Sequence, residues 1–155
     1  MVFHEHIIRV ASPGEMTREA IWRELVRYAR EPQYYVDGIV SAEIRDEEAS
    51  ENGVVSFLRS TVFETGGCFE ERVVLRYLES VLARFSGNAN CPSSSFLIRI
   101  EEPEQGSLFL RFVYEQESDH PALKTQPQLA GLMKQAYEAK DKDIVRRMLK
   151  KIMKA

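Results

Sequence analysis

The chain of 155 residues is 44% hydrophobic and 29% charged, with a formal net charge of −3. That length suits a single domain, residues 1–155, able to bury roughly 70% of the surface its unfolded chain exposes. The acidic balance offers no general field for nucleic acid, no apolar run approaches the ~18 residues of a membrane span, and no secretory signal opens the sequence. Cys68 and Cys91 sit in unlike contexts with no metal-finger spacing, so a reducing, cytoplasmic setting is expected.

The first element is a strand from Phe3 to Ala11, broken by "SPG" at residues 12–14. Thr17 then stands as a helix N-cap before "REAIWRELVRYAR", with Glu19 in the first turn and Ile21, Trp22, Leu25 and Ala29 as the apolar stripe. Pro32 stops this helix, and "QYYVDG" reads as one more helical turn or an irregular corner. From Ile39 to Glu117 the period changes to two, with turn signals at Asn52-Gly53, Gly66-Gly67, Glu79-Ser80, "GNANCPSS" and "EPEQG". Six antiparallel strands follow from that spacing. The last segment, Gln128 to Lys154, carries Leu129, Leu132, Met133, Ala136, Tyr137, Ile144, Val145, Met148, Leu149 and Ile152 at helical spacing. As a helix it would run about 40 Å. Lys140 to Asp143 interrupt its stripe, and a kink or a helix end beyond the sheet would account for the gap.

The strand faces can be assigned. Val73, Leu75 and Tyr77 alternate with arginines, and Phe96, Ile98 and Ile100, then Leu108, Leu110, Phe112 and Tyr114, continue the same apolar side. The opposite side carries arginines interleaved with Glu5, Glu101 and Glu115. Cross-strand ion pairs explain that row better than a nucleic-acid surface, which would set stacking aromatics among the arginines. For the strand over residues 54–63 two readings stand: Val55, Phe57, Thr61 and Phe63 inward together with Arg59, or Leu58, Ser60 and Val62 inward.

A strand, a helical insertion, six strands and a long terminal helix make an α+β order in which the last helix covers the apolar face of a curved sheet. This pattern resembles the START-like (SRPBCC) superfamily, whose helix-grip fold wraps a seven-stranded antiparallel sheet around a long C-terminal helix and encloses a ligand cavity. Within it the chain is most similar to the AtaL-like family, on "EHIIRV", "TREAIWRELVRYAREP", "IRIEEPEQGSLFLRFVYE" and "AYEAKDKDIVRRM". None of these is a catalytic signature, so they speak for fold and family. Members usually open with an aromatic residue, a glutamate and a histidine. Here His4 takes the aromatic's place while Glu5 and His6 match.

The resemblance implies a small apolar or aromatic ligand held between sheet and helix, with His6, Trp22, Tyr77, Ile98, Phe112, Tyr114, Met133 and Tyr137 as the expected lining. It also implies an alternative, a cyclase, dehydratase or hydrolase acting on a polyketide-like substrate in the same cavity. His6 and Glu71 share the inward register and are the acid–base candidates, with Glu71 the natural partner of a buried imidazole. The competing reading of that pair is a structural hydrogen bond. His4 and His6, at i and i+2, can chelate a metal only with a third ligand; His120, the remaining histidine, completes no recognised spacing. No metal and no cofactor is expected, and a homodimer is left open.

Overall fold

The computed structural model describes residues 2–89, 91–116 and 127–154, apart from the side chains of 127–131. His120 and the side chain of Leu129 lie outside the described residues. Strand β1 (Val2–Ala11) leads into helix α1 (Arg18–Arg30). The start of α1 is set by Thr17, whose hydroxyl accepts from the Ala20 N–H at 3.2 Å, and its end by Pro32, which opens a single 3-10 turn over Pro32–Tyr34. Strands β2 (Ile39–Ala49), β3 (Val54–Phe63), β4 (Cys68–Arg76), β5 (Ser80–Phe85), β6 (Ser94–Glu104) and β7 (Ser107–Gln116) follow, and helix α2 (Pro127–Lys154) closes the chain.

The seven strands form one curved antiparallel sheet in the order β1-β7-β6-β5-β4-β3-β2. Because α1 intervenes between β1 and β2, those two strands take opposite edges, and the later hairpins fill the sheet between them. Pairing of β1 with β7 sets His4 opposite Tyr114 and His6 opposite Phe112, while β6 sets Phe96 opposite Tyr114 and Ile98 opposite Phe112. These cross-strand neighbours put a continuous ring-bearing surface on the concave side. On the convex side Arg111 bonds Glu101 and, at 2.9 Å, Glu5, and Arg99 bonds Glu101 at 3.0 Å. Arg99 and Arg111 are therefore neutralised by their own strand neighbours.

The space under α2 is solid at one end and hollow at the other. Ile144, Val145 and Met148 are fully or almost fully buried against Leu25, Ile98, Leu110 and Phe112, so the C-terminal half of the helix completes the core with α1. The N-terminal half, around Tyr137 and Lys140, borders a cavity. On β3, Phe57, Arg59 and Thr61 are buried, which selects the inward face that includes an arginine. Tyr77 departs from the inward alternation of Val73 and Leu75: β4 ends at Arg76, Leu78 adopts φ 61°, and the reversal leaves Tyr77 62% exposed, edge-on to Trp22.

Candidate functional site

A cavity of about 260 Å³ lies between the N-terminal half of α2, the concave face of β3 to β7 and the segment from Pro32 to Ile39. Phe3, Phe63 and Phe96 give it apolar wall, as do Val36 and Ala83. Its polar lining comes from two directions. The sheet contributes Arg59, Thr61 and Glu71, and α2 contributes Lys140, with Tyr114 between the two.

On the sheet side, Arg59 is 5% exposed and holds the Ala29 carbonyl at 2.8 Å and Glu71 at 3.0 Å through its terminal nitrogens. Among the described residues its Nε and the Thr61 Oγ1, both buried, have no hydrogen-bond partner. An unsatisfied buried donor costs about 1–3 kcal/mol. Arg59 and Thr61 both line the cavity.

On the helix side, Asp141 is completely buried. One carboxylate oxygen accepts from His6 Nε2 at 2.7 Å, and the Tyr114 hydroxyl donates to the carboxylate at 2.7–2.8 Å. Lys140 Nζ stands 3.9 Å from its other oxygen. Burial lifts the Asp141 carboxyl above its ordinary range, against the opposing pull of Lys140, His6 and Tyr114. Burial likewise lowers the Lys140 ammonium, opposed by Asp141 and Glu71. The Tyr114 hydroxyl is pushed up by burial first and by Asp141 second, which fixes it as a donor to the carboxylate.

Stacked rings surround this cluster. Tyr114 lies parallel to Tyr137 at 4.3 Å and to Phe96 at 4.5 Å, and His6 stacks on Phe112 at 5.1 Å and on His4 at 5.3 Å. Lys140 Nζ sits 4.6, 5.1 and 5.4 Å from the centroids of Phe96, Tyr114 and Tyr137. Each such contact favours the cation.

Of the expected lining, Tyr114 and Tyr137 border the cavity. Trp22, Ile98 and Phe112 are instead buried in the solid core, Tyr77 is at the surface, and Met133 is half-buried on α2 away from the cavity wall. They fall outside because the packed half of the concave face is filled by α1 and by Ile144 and Met148. Glu71 reaches the cavity but pairs with Arg59, and the partner of His6 is Asp141. His6 backs the cavity through Asp141 and Tyr114 and is not part of its wall. His4 Nε2 lies 3.6 Å from Glu138 at the edge of the site. Among the described residues no group of three His, Cys, Asp or Glu side chains converges to hold a metal.

Asp141 and Lys140 are the residues the sequence reading missed. The signal was present: Asp141 lies four positions after Tyr137 and three and seven before Ile144 and Met148, so it occupies the buried stripe and does not interrupt it.

Solved structures with this fold include the Zhui aromatase/cyclase from Streptomyces sp. R1128, with TM-score 0.60, 17% identity and 97% of this chain aligned to 92% of that one. They also include Ara h 8.0201, with TM-score 0.58 and 13% identity over 98% of this chain and all of that chain. The di-domain aromatase/cyclase StfQ from the steffimycin biosynthetic pathway aligns with TM-score 0.59 and 10% identity over 94% of this chain, which spans 48% of StfQ. At these identities the likeness establishes the helix-grip fold. No curated protein matches the sequence significantly. Among the described residues no helix is long and apolar enough to cross a membrane. The family model for AtaL, the acetylaranotin biosynthesis cluster protein L, matches residues 6–154, and the chain belongs to the AtaL family.

Proposed function

We propose that the protein binds a small aromatic or otherwise apolar metabolite in the cavity under the N-terminal half of α2. The observation that carries this reading is a cavity of about 260 Å³ with aromatic and aliphatic wall that also carries two polar residues, Arg59 and Thr61, each with a buried polar atom unpartnered among the described residues. The volume exceeds that of a ~150 Å³ apolar cavity that admits benzene and falls just below the ~300–1,000 Å³ of drug-sized pockets. It suits a guest of one or two rings bearing oxygen substituents.

The test is a thermal-shift screen of oxygenated one- and two-ring aromatics. A ligand present at about a hundred times its Kd adds ~2.7 kcal/mol to stability, a rise of roughly 5–11 °C in Tm at this chain length. A screen in which no such compound moves Tm, while the cavity is verified open, rejects the reading.

A second reading is supported by one observation: Asp141, whose carboxyl is raised by burial, reaches the cavity through the Tyr114 hydroxyl and the neighbouring Lys140. Such a cluster can move protons, and aligned proteins of this fold carry the name aromatase/cyclase. In this reading the cavity houses cyclase- or dehydratase-type chemistry on a polyketide-like substrate. It requires a product, detectable by mass spectrometry, that disappears in His6→Ala. A ligand recovered unchanged from the wild-type protein favours binding alone.

A further inference from the structure

Lys140 has an environment that simple ligand holding does not require. The residue lines the cavity, and a third of its side-chain surface remains accessible. Three rings surround the nitrogen at 4.6–5.4 Å, and among the described residues its nearest charged neighbour is Asp141 Oδ1 at 3.9 Å. That separation exceeds hydrogen-bond length, so the amine is near its counter-ion but not engaged by it.

We infer that Lys140 is a site of reversible imine formation with an aromatic aldehyde or ketone bound in the cavity. The inference rests on the cavity-binding reading above and deepens it, since it names the ligand's functional group. In the step, the lone pair of the neutral amine adds to the carbonyl carbon. Both nitrogen protons pass in turn to the former carbonyl oxygen, that oxygen departs as water, and a C=N bond joins ligand to lysine; the imine nitrogen then takes up a proton to become a cation. No oxidant or reductant takes part. Burial lowers the ammonium of Lys140, which eases loss of the proton that the attack requires. Asp141 lies 3.9 Å from the nitrogen and accepts from the hydroxyl of Tyr114, a residue that lines the cavity, so the pair is placed to carry the proton.

The same surroundings favour the product. The protonated imine is a cation, so the faces of Phe96, Tyr114 and Tyr137 that hold an ammonium hold it as well, with Asp141 as its counter-ion. Arg59 and Thr61, which line the cavity from the sheet side, then face the rest of the aromatic ligand.

The experiment uses the full chain with vanillin as the aldehyde and vanillyl alcohol as the analogue that cannot form an imine. Sodium cyanoborohydride traps any imine as a stable secondary amine, and peptide mapping locates it. The expected result is modification of Lys140 at limiting vanillin, at a rate about tenfold or more above that of Lys134, Lys142 and Lys150. The modification should be lost in Lys140→Arg, which keeps the charge but cannot condense. If Lys140→Arg fails to fold, mapping of the wild-type protein still decides the matter. Stabilisation by vanillyl alcohol without trapping at Lys140 overturns the imine and leaves ligand binding standing. Neither stabilisation nor trapping overturns the imine and counts against the cavity reading as well. Trapping spread evenly over the surface lysines also overturns it.

Discussion

Asp141→Ala is the most informative perturbation of the molecule. Removing the carboxylate leaves the His6 Nε2–H and the Tyr114 hydroxyl, which now donate at 2.7–2.8 Å, without an acceptor in a region closed to bulk water. Two buried donors at about 1–3 kcal/mol each, or a broken buried ion pair at about 3–5 kcal/mol, bracket the same expectation. Access to the cavity on the Tyr114 side reduces the upper figure, because water can partly replace the lost acceptor. We expect a loss of about 3 kcal/mol, or roughly 6–12 °C in Tm for a chain of this length. Asp141→Asn keeps one acceptor for Tyr114 but turns an amide N–H towards His6, which must then switch tautomer and accept. A neutral His6 can do so at a cost of about 1 kcal/mol, whereas an imidazolium cannot and would bring the loss close to that of alanine. Urea denaturation of the three proteins, read as midpoint shifts at constant slope, gives both numbers. An alanine variant within 1 kcal/mol of wild type, a threshold set by the ~1 kcal/mol net value of a hydrogen bond, would refute the view that this cluster is a buried, mutually dependent unit.

Four further outcomes follow from the same geometry. Glu71→Gln strands the buried Arg59 guanidinium and should cost about 2–3 kcal/mol by urea denaturation, less than a fully enclosed pair because the Glu71 side chain is 23% exposed. Ala83→Phe should fill the cavity and abolish ligand-induced thermal shifts at an overpacking cost of about 1–3 kcal/mol, with circular dichroism unchanged. Tyr77→Ala should leave those shifts intact, since it removes only an edge contact with Trp22 worth ~1 kcal/mol. Finally, a carboxyl raised in the folded state contributes stability that is present below its unfolded value, 3.8 for Asp141, and lost as pH rises through the folded value. The urea midpoint of wild type relative to Asp141→Asn should therefore decline from about pH 4 upward. A difference that rises with pH instead would place the Asp141 carboxyl below its ordinary range.

What could be read from the sequence was whatever depends on near neighbours along the chain. Helix α1 has the bounds expected from Thr17 and Pro32, because a cap and a proline act within one turn. The strands emerge from period-two alternation, which needs no partner to be visible. Tyr77 failed because alternation says nothing about where a strand stops: the positive φ of Leu78 ends the register one residue before Tyr77 would use it. The face of β3 stayed open because an inward arginine contradicts the binary pattern. It is resolved only by partners 30 and 12 residues away, the Ala29 carbonyl and Glu71. Asp141 read as part of an interruption of the apolar stripe, a kink or a helix end, because its hydrogen-bond partners, His6 and Tyr114, are 135 and 27 residues distant. Polar satisfaction of that kind is a property of the folded assembly, and composition along the helix cannot display it.

These failures are not scattered. The arginine that breaks the pattern on β3 and the aspartate that breaks it on α2 belong to two ion pairs that meet one cavity from opposite walls. Neither pair is an economical way to stabilise a domain, since apolar residues of similar volume are often as good or better at such positions. The Arg59–Glu71 pair also leaves an Nε donor unmet, and Lys140 stops short of bonding its carboxylate. Residues that violate local rules and remain incompletely satisfied after folding are best explained by a third participant. The residues concerned line a space walled by rings, which is where the proposed ligand, with an aromatic body and oxygen functions at its edge, would sit. A cavity of the same shape lined only by apolar side chains would have satisfied the fold. It would have had no use for Arg59 or Lys140.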